Sequence, residues 1–567
     1  MRPFLVTELQ AGKLPRLGIL ALTLLYIIPG FVGRDPWRYD DAAGFGVALT
    51  MMRGTLADWL MPNIAGAPAP EEGPLPFWIA ATIEQLLPAL TEHAVTRATA
   101  AAGILLLLVS FWYGTYTLFK RPGLMPSDPF GAAASRIDFG RAIADSALLI
   151  LMGTLGVIAR MHETTTQAAQ LTLYGLFLYG AAIALARPTL GGLIAGAAIG
   201  ASIATRGLIP ATGMLACALL LPAVSPAYRL IGRRWLAVLS AVAIPTGVAW
   251  PLALLLYDDA SRIHLIQWLD WNRAQLSGIG VKGLLYLGRT LPWYFWPAWP
   301  MAIWAAIRWR GRFSEPAVAL PLVSLLTSSL AVLVTIEARE RDLLTIALPL
   351  AMLAAVGLPT LLRSVISLID WFSVMTYSLI GIALWAYWIA MVTGYPPRMA
   401  FSVERVSPGF EHGPIAVDLV LGLAATLAWI WLVRWRISRR PPMIWRAVML
   451  SCGGLVLTWF LLMTLWLPTF NARNTYRDVA RSLLEALPQN YDCINTHDVG
   501  GAKRASLYYF ANLRFAGPER QCGWILRQDD GPLARIIAPV EPGWTLVWEG
   551  RRPRDDDERL RLLRRNL

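Results

Sequence analysis

Long apolar runs alternate with short polar segments along most of this chain. From Leu17 to Pro468 the runs are long enough to cross a hydrocarbon layer about 30 Å thick, and Arg, Lys, Pro or Gly bounds each of them. Because helices satisfy their own backbone groups within lipid, the pattern predicts a mainly α, polytopic membrane protein. About thirteen transmembrane helices are predicted, at residues 17–33, 96–119, 143–160, 168–186, 189–205, 207–222, 236–257, 292–308, 318–336, 343–361, 373–393, 415–433 and 447–466.

Three segments between the predicted spans are too long to be simple turns. Residues 34–92 carry apolar side chains at helical spacing and then, after a Pro-rich break, the stretch PLPFWIAATIEQLLPAL. Residues 258–292 contain HLIQWLDWNRAQL, which mixes aromatic and charged residues, and residues 395–413 form a shorter, Pro-rich segment. The first two patterns predict helices that lie on the membrane surface.

The end of the chain has the composition of a soluble domain. The stretch NTYRDVARSLLEALP predicts a helix, whereas YDCINTHDV, SLYYFANLRF, GWILR and GWTLVWEG predict short strands before a charged tail. We therefore expect a transmembrane domain over residues 1–468 and a small α/β domain over residues 469–567.

The overall composition excludes a soluble globular protein. Hydrophobic residues make up 56% of the chain and charged residues 15%, with a mean hydropathy of +0.50, whereas soluble domains carry about 25% charged residues. The net charge of +13 does not indicate nucleic-acid binding, because the basic residues lie in short loops rather than in one stripe.

The basic loops predict the orientation by the positive-inside rule. Alternate loops collect Arg2, Lys13 and Arg16; Lys120, Arg121, Arg136 and Arg141; Arg187; Arg229, Arg233 and Arg234; Arg308, Arg310 and Arg312; Arg363; and Arg434, Arg436, Arg439, Arg440 and Arg446. We expect a bacterial inner-membrane protein with a cytoplasmic N-terminus. An odd number of spans then places the C-terminal domain in the periplasm.

The four cysteines fall into two groups. Cys217 and Cys452 lie in apolar runs and are expected to be inert core residues. Cys493 and Cys522 lie in the C-terminal domain, on the predicted oxidising side of the membrane, and we predict a disulfide between them.

Two acidic clusters in the first long loop are the main candidates for chemistry. GRDPWRYDDAAGF follows the first span and carries Asp35, Asp40 and Asp41, whereas APAPEEGPLPFW carries Glu71 and Glu72. One interpretation is a solvated loop that opens the next helix, because Asp is favoured at N-caps and in first turns. The other is a general base or metal ligand at the membrane boundary. The clusters flank one predicted surface helix and can therefore converge.

These motifs resemble the bacterial aminoarabinose transferase and protein O-mannosyltransferase group of GT-C glycosyltransferases. WRYDDAAGF is similar to that family's Trp, two residues, Asp-Glu pattern, which puts Asp40 at its catalytic Asp and Asp41 at its Glu. EEGPLPFWI resembles its Glu-Lys-Pro-Pro-Leu-aromatic-Trp motif, with Glu71 at the Glu. Glu72 departs from the pattern, because it stands where the family usually has Lys.

Further segments follow in the family's order, so that the resemblance covers most of residues 17–360. GAAIGASIATRGLIP resembles a Gly-rich span that ends in Thr-Lys-Gly, with Arg206 at the Lys. LPWYFWPAWP resembles an aromatic stretch that re-enters the membrane, and EARERDLLTIALPLAMLAA resembles the basic segment and Pro-containing span that follow. The resemblance implies a GT-C fold.

The resemblance also implies inverting transfer of a sugar, such as 4-amino-4-deoxy-L-arabinose, from undecaprenyl phosphate to a lipid A, glycan or protein acceptor in the periplasm. Asp40 would take the acceptor's proton, with Asp41 and Glu71 beside it. Because guanidinium groups bind phosphate well, Arg206, Arg339 and Arg341 at outer span ends are candidates to hold the donor phosphate. The expected substrate-cavity residues are Glu72, Trp37, Tyr39, Trp268 and Tyr294.

No cofactor is required for this chemistry, since the phosphate leaves already ionised. A divalent ion among the carboxylates is a further hypothesis, because neighbouring carboxylates raise one another's pKa unless a cation lies among them. We expect a monomer that contacts membrane lipids, a lipid-linked donor and a lipid or glycan acceptor. The competing class is a transporter or flippase of a lipid-linked precursor. Such a protein would be expected to carry polar groups mid-span and paired halves, whereas this sequence has few charges within its spans and no evident symmetry between its halves.

Overall fold

The chain folds into a bundle of long helices with a small sheet domain at its C-terminal end. The computed structural model describes residues 6–122, 124, 133–276, 281–335, 339–410, 413, 416–438, 443–517, 520–531, 542–553, 555 and 557–566. Within these ranges eight helices are long and apolar enough to cross a membrane, or nine if one bent pair forms a single span. The predicted multi-pass helical class is confirmed, whereas the count of thirteen is not.

The helices of the membrane part are listed here in chain order. They are α1 (Arg16–Ile27), α2 (Asp40–Arg53), α3 (Leu56–Leu60), α4 (Leu75–Leu86), α5 (Glu92–Phe119), α6 (Arg136–Met152), α7 (Leu155–Met161), α8 (Thr166–Ala184), α9 (Pro188–Arg206), α10 (Leu208–Val224), α11 (Pro226–Tyr257), α12 (Asp259–Ala274), α13 (Val281–Tyr294), α14 (Ala298–Arg308), α15 (Pro316–Val334), α16 (Leu344–Gly357), α17 (Arg363–Thr393), α18 (Pro397–Glu404), α19 (Ala416–Ser438) and α20 (Arg446–Leu465). Short 3-10 turns precede α16 at Glu340–Leu343 and follow α1 and α16 at Ile28–Gly30 and Leu358–Thr360.

The predicted span 143–160 is two helices rather than one. The axes of α6 and α7 differ by 73°. At the bend, the Thr154 hydroxyl donates to the Ile150 carbonyl at 2.7 Å. That carbonyl therefore keeps a hydrogen-bond partner where the chain leaves the direction of α6. The bend brings the segment after α7, residues 162–165, beneath the first turn of α2.

Helix α9 packs closely between α8 and α11, as its Gly- and Ala-rich sequence predicts. A Cβ added at Gly196 would meet the backbone carbonyl of Leu239 on α11. Helix backbones can approach this closely only where small residues face each other. The close packing fixes the end of α9, where Arg206 lies.

The long loops form helices, as predicted. Residues 34–92 form α2, α3 and α4, with a small hairpin of β1 (Asn63–Ile64) and β2 (Ala67–Pro68) between α3 and α4. Helix α12 occupies the second long loop, where Asp258 caps its first turn by accepting from the Ser261 backbone N–H at 2.7 Å. Residues 277–280 of that loop lie outside the described residues.

The C-terminal domain combines three helices with a four-stranded sheet. The helices are α21 (Leu467–Asn474), within which the predicted division at 468 falls, α22 (Arg477–Ala486) and α23 (Gly501–Ala511). The strands are β3 (Ile494–His497), β4 (Trp524–Asp530), β5 (Trp544–Gly550) and β6 (Glu558–Arg565), in the spatial order β3-β4-β6-β5. Among the strand pairs formed by the described residues of this sheet, only β3–β4 is parallel. Cys493 and Cys522 form a disulfide at the start of β3 and β4, and Cys217 and Cys452 are buried free thiols.

Two predictions for this domain are wrong. Residues 506–511 of SLYYFANLRF belong to α23 rather than to a strand. Residues 503–507 of this helix are all buried, because α23 packs between α2 and the sheet, and this two-sided burial hides the helical period. The charged tail contains strand β6, where Leu560 and Leu562 face the core while Arg561 pairs with Asp529. The charges masked the strand pattern.

The C-terminal domain is fastened to the loop that carries the acidic clusters. Arg504 on α23 is buried and donates to the carbonyls of Ile64 at 2.9 Å and Ala65 at 2.6 Å, and to the hydroxyl of Thr496 at 2.6 Å. Arg477 also pairs with Asp35. These contacts hold α2 between α23 and the membrane helices.

Replacing Arg504 with Ala is expected to loosen this attachment. Hydrogen bonds from a charged donor contribute about 1.5–3 kcal/mol, and the two freed carbonyls lie in a largely buried interface. Hydrogen exchange should therefore speed up in residues 61–68 and 494–497 while that of α20 stays unchanged. Arg481→Ala, which removes an exposed guanidinium from α22, is the control. Equal exchange in both variants would contradict the proposed attachment.

Candidate active site

Asp40 begins α2 and faces a cation from a distant part of the chain. The preceding residue, Tyr39, has a φ of +70°, an uncommon conformation for a residue with a side chain, and it turns the backbone sharply into the helix. The Asp40 carboxylate forms an ion pair with the Arg341 guanidinium. Both side chains stay partly exposed, at 28% and 21%, so the pair is accessible to a ligand.

Asp41 has a different environment although it is adjacent in sequence. Its carboxylate is buried and accepts from the two terminal nitrogens of Arg97, Nη1 at 3.0 Å and Nη2 at 2.8 Å, and from Arg34 at 3.2 Å. The backbone N–H groups of Trp37 and Thr164 also donate to it, at 3.1 and 2.8 Å. Burial alone would raise the pKa of Asp41, but Arg97 and Arg34 outweigh it and hold that pKa well below its usual value.

The segment 162–165 supports α2 from below. A Cβ at Gly44 would overlap the backbone carbonyl of Thr164, so the helix packs directly on that backbone. The contact also lets the Thr164 N–H reach Asp41. Asp41 is therefore the anchor of α2, and Asp40 projects from an anchored helix.

Arg206 and Arg341 line one cavity among α8, α9, α10, α12 and α15. Arg206 ends α9; its guanidinium donates to the Glu71 carbonyl at 3.1 Å and lies 3.6 Å from the Asp342 carboxylate. The Trp271 ring lies beneath this guanidinium, 5.1 Å away. The buried Nε of Arg341 has no partner among the described residues. The two cations leave donor groups for an anion in the cavity.

The side chain of Glu72, and not that of Glu71, is buried near Arg206. The Glu72 side chain is buried and accepts from the Thr166 hydroxyl at 2.6 Å, whereas Glu71 is exposed and contributes only its backbone carbonyl. Burial raises the pKa of Glu72 to about 7, against the opposing effect of Arg206. Near neutral pH, Glu72 can thus hold a proton and donate a hydrogen bond.

Glu163, a largely buried carboxylate after α7, belongs to the same region, although the sequence pattern indicated only a polar loop there. Arg160 donates to Glu163 at 2.9 Å and to Glu340 at 3.2 Å. Burial raises the pKa of Glu163 to about 7 although Arg160 lowers it, and the nearby charges of Asp41 and Asp40 raise it further. The sequence signal was the His-Glu pair in RMHETTT, whose burial cannot be read from local pattern.

The fold that carries this site matches a known structure over nearly its whole length. The crystal structure of ArnT from Cupriavidus metallidurans bound to undecaprenyl phosphate superposes with a TM-score of 0.64 at 14% identity, covering 96% of this chain and 97% of that chain. The chain has the ArnT fold. The apo ArnT structure from the same organism gives a TM-score of 0.63 at 13% identity, over 96% and 97% of the two chains. The GT-C fold expected from the resemblance is confirmed.

Other comparisons add little to this match. AglB, the archaeal oligosaccharyltransferase from Archaeoglobus fulgidus, covers 90% of this chain and 69% of its own at 11% identity, with a TM-score of only 0.45, too distant for structural inference. No protein-family model and no curated protein matches the sequence. The ArnT fold is therefore recognised through the backbone.

The four aromatic residues predicted for the substrate cavity contact other parts of the chain. Trp37 donates to the Asn471 amide oxygen, Tyr39 is exposed beside Arg38, and Trp268 packs edge-on against Trp250. Tyr294 is buried against Gly156. None of the four is among the described residues that line the cavity of Arg206 and Arg341. On α12, Trp271 lines this cavity instead of Trp268.

Arg339 is likewise not among the described residues that line the cavity of Arg206 and Arg341. It is exposed, and its backbone N–H donates to Asp342 at 2.9 Å. Of the three arginines predicted to bind phosphate, the structure brings Arg206 and Arg341 together at the cavity.

Protein groups contact the carboxylates where a metal ion was hypothesised. Asp40 pairs with Arg341, Asp41 with Arg97 and Arg34, and Glu72 with Thr166. Within the described ranges, no cluster of three or more His, Cys, Asp or Glu side chains could hold a metal ion. The charge balance of this region of the ArnT fold is set by arginines.

The raised pKa of Glu72 predicts a pH effect on stability. A Glu carboxyl ordinarily titrates near 4.5, so between pH 4.5 and 7 the folded protein keeps a proton that the unfolded chain has lost. The free energy of unfolding must then fall as pH rises through this window. At pH 8, the free energy of unfolding of Glu72→Gln is expected to exceed that of wild type by an amount on the order of 1–3 kcal/mol. At pH 4.5, the two free energies of unfolding should be much closer.

Glu71→Gln supplies the matched control, because Glu71 is adjacent but exposed. Thermal unfolding of the three proteins in detergent at both pH values measures the effect. Parallel pH dependence of Glu72→Gln and wild type would contradict the raised pKa.

Proposed function

We propose that this protein is an inverting glycosyltransferase that moves a sugar from undecaprenyl phosphate to an acceptor hydroxyl at the outer face of a bacterial inner membrane. The observation that carries the proposal is the ion pair of Asp40 and Arg341 beside the cavity that Arg206 and Arg341 line. A base for the acceptor and cations for a phosphate are thus adjacent.

The arginine pair supports binding of the donor phosphate. Guanidinium groups form charge-assisted, often bidentate hydrogen bonds to phosphate oxygens. The Nε of Arg341, which has no partner among the described residues, and the Arg206 guanidinium, which lies 3.6 Å from the Asp342 carboxylate, are suited to this role. The ArnT structure of the same fold was crystallised with undecaprenyl phosphate, which agrees with a lipid phosphate as ligand.

In the proposed reaction the acceptor oxygen attacks the anomeric carbon of the sugar. A bond forms between that oxygen and the carbon, and the bond from the carbon to the phosphate oxygen breaks, so undecaprenyl phosphate leaves with the electron pair. Asp40 takes the acceptor's proton as the bond forms. Arg341 orients Asp40 and, with Arg206, stabilises the negative charge on the leaving phosphate.

A second cavity supports lipid binding next to this centre. It has a volume of about 310 Å³ and lies among α4, α5 and α8, with a mostly apolar lining. Glu163, Thr164 and Thr165 form its polar end. The hydrocarbon chain of a lipid suits this cavity, since binding there removes the apolar surface of the chain from water. The experiment described next identifies the sugar and the acceptor class, whether lipid A, glycan or protein.

A flippase remains the alternative, and detergent separates the two. In micelles there are no two compartments, so a flippase has no product, whereas a transferase releases undecaprenyl phosphate. Purified protein is incubated with undecaprenyl phosphates bearing aminoarabinose, mannose or glucose and with envelope extract from cells that lack the gene. Mass spectrometry should show free undecaprenyl phosphate and one glycosylated acceptor. Absence of turnover with every donor would contradict the proposal.

A further inference from the structure

Two glutamine side chains line the cavity of Arg206 and Arg341 at the start of α8. Gln167 and Gln170 are three residues apart and Tyr174 follows four residues later, so all three share one face of the helix. Gln167 is 5% exposed and Gln170 is 2% exposed. A polar stripe therefore runs from the arginines into the bundle.

The amides of this stripe are incompletely hydrogen-bonded. Both amide atoms of Gln167 lack a partner among the described residues. The Gln170 carbonyl oxygen accepts from the Ser202 hydroxyl at 2.8 Å, which fixes the amide, and its Nε2 has no described partner. Buried polar groups are nearly always hydrogen-bonded, and leaving one unpaired costs about 1–3 kcal/mol. A ligand with its own donors and acceptors would offset that cost.

The chemistry of the stripe differs from that of the arginines. An uncharged amide offers one acceptor and two donor hydrogens, a set that matches sugar hydroxyls and does not select an anion. In a sugar phosphate the ring is one oxygen away from the phosphorus. A phosphate held by Arg206 and Arg341 therefore places the sugar within the same cavity.

We propose that Gln167 and Gln170 bind the sugar ring of the lipid-linked donor and contribute to its selection. This inference rests on the proposed function. Gln167 recognises the sugar with both amide atoms, whereas Gln170 contributes a donor whose direction Ser202 fixes. Because the arginines bind the phosphate independently, the amides act on sugar-linked lipid and not on bare lipid phosphate.

Binding of four probes to Gln167→Leu separates these contributions. The probes are undecaprenyl phosphate alone and undecaprenyl phosphate linked to aminoarabinose, mannose or glucose. Wild type is expected to bind at least one sugar-linked probe more tightly than the bare lipid phosphate. Gln167→Leu should weaken that probe about tenfold and change the affinity for undecaprenyl phosphate less than about twofold.

Thr115→Val provides the matched control. Thr115 is a buried polar residue of α5 whose hydroxyl donates to the Phe111 carbonyl at 2.9 Å, and it is not among the described residues that line either cavity. It should leave all four affinities unchanged. Equal loss of all probes in Gln167→Leu, no loss at all, or no sugar preference in wild type would overturn the inference. Failure of wild type to bind any probe would overturn the proposed function as well.

Discussion

Asp40→Asn is expected to lower the rate of sugar transfer at least about 100-fold, because general base catalysis contributes about 10²–10⁴ to such reactions. The amide keeps the shape of the carboxylate but cannot accept the acceptor's proton. Its position at the start of α2 adds only a small loss of stability, about 0.3–1 kcal/mol from the helix dipole. The melting temperature in detergent should therefore stay close to that of wild type.

Asp259→Asn is the control for this measurement. Asp259 is in the first turn of α12 and 91% exposed, and it also pairs with an arginine, Arg262. Its loss removes the same charge from a helix start without touching the site. Wild-type turnover in Asp40→Asn, measured as undecaprenyl phosphate released in micelles, would exclude Asp40 as the base.

Asp41→Asn is expected to lower the stability of the fold, and not only the rate of sugar transfer. Removing one partner of a buried ion pair typically costs about 3–5 kcal/mol, because the remaining charge is left unpaired. Here Arg97 and Arg34, both buried, would lose their shared anion. A large drop in the melting temperature, or failure to accumulate folded protein, should follow. Size-exclusion chromatography after heating, followed by tryptophan fluorescence, measures the effect.

The two adjacent variants thus serve as controls for each other. Both remove one negative charge from the first turn of α2. Asp40→Asn should be stable and inactive, whereas Asp41→Asn should be unstable. If Asp41→Asn melted like wild type and Asp40→Asn did not, the structural roles assigned to the two carboxylates would be reversed.

Much of the membrane architecture was accessible from the sequence because lipid imposes a simple rule on apolar runs. Helices α5, α9, α15 and α20 begin and end within a few residues of the predicted spans. The bend between α6 and α7 could not be predicted from the sequence, since both helices share one apolar run. Helix α23 was not predicted because a helix that is buried on two sides shows no hydrophobic periodicity.

The candidate site was predicted only in part, since its contacts join distant segments. Motif order indicated Asp40 and Arg206, and span ends indicated Arg341. Arg97 could not be assigned to Asp41, because its sequence position, within an apolar helix, says nothing about the loop above it. The choice between Glu71 and Glu72 depends on how a Pro-bounded loop turns against Thr166, which no local pattern specifies.

Native mass spectrometry can determine whether Arg206 and Arg341 hold an undecaprenyl phosphate next to Asp40. Wild-type protein and an Arg206→Gln, Arg341→Gln double variant are released from micelles containing undecaprenyl phosphate and, separately, undecaprenol. Wild type should retain the phosphate and not the alcohol, and the double variant should retain neither. Equal retention of the phosphate by both proteins would contradict binding of the phosphate by the two arginines.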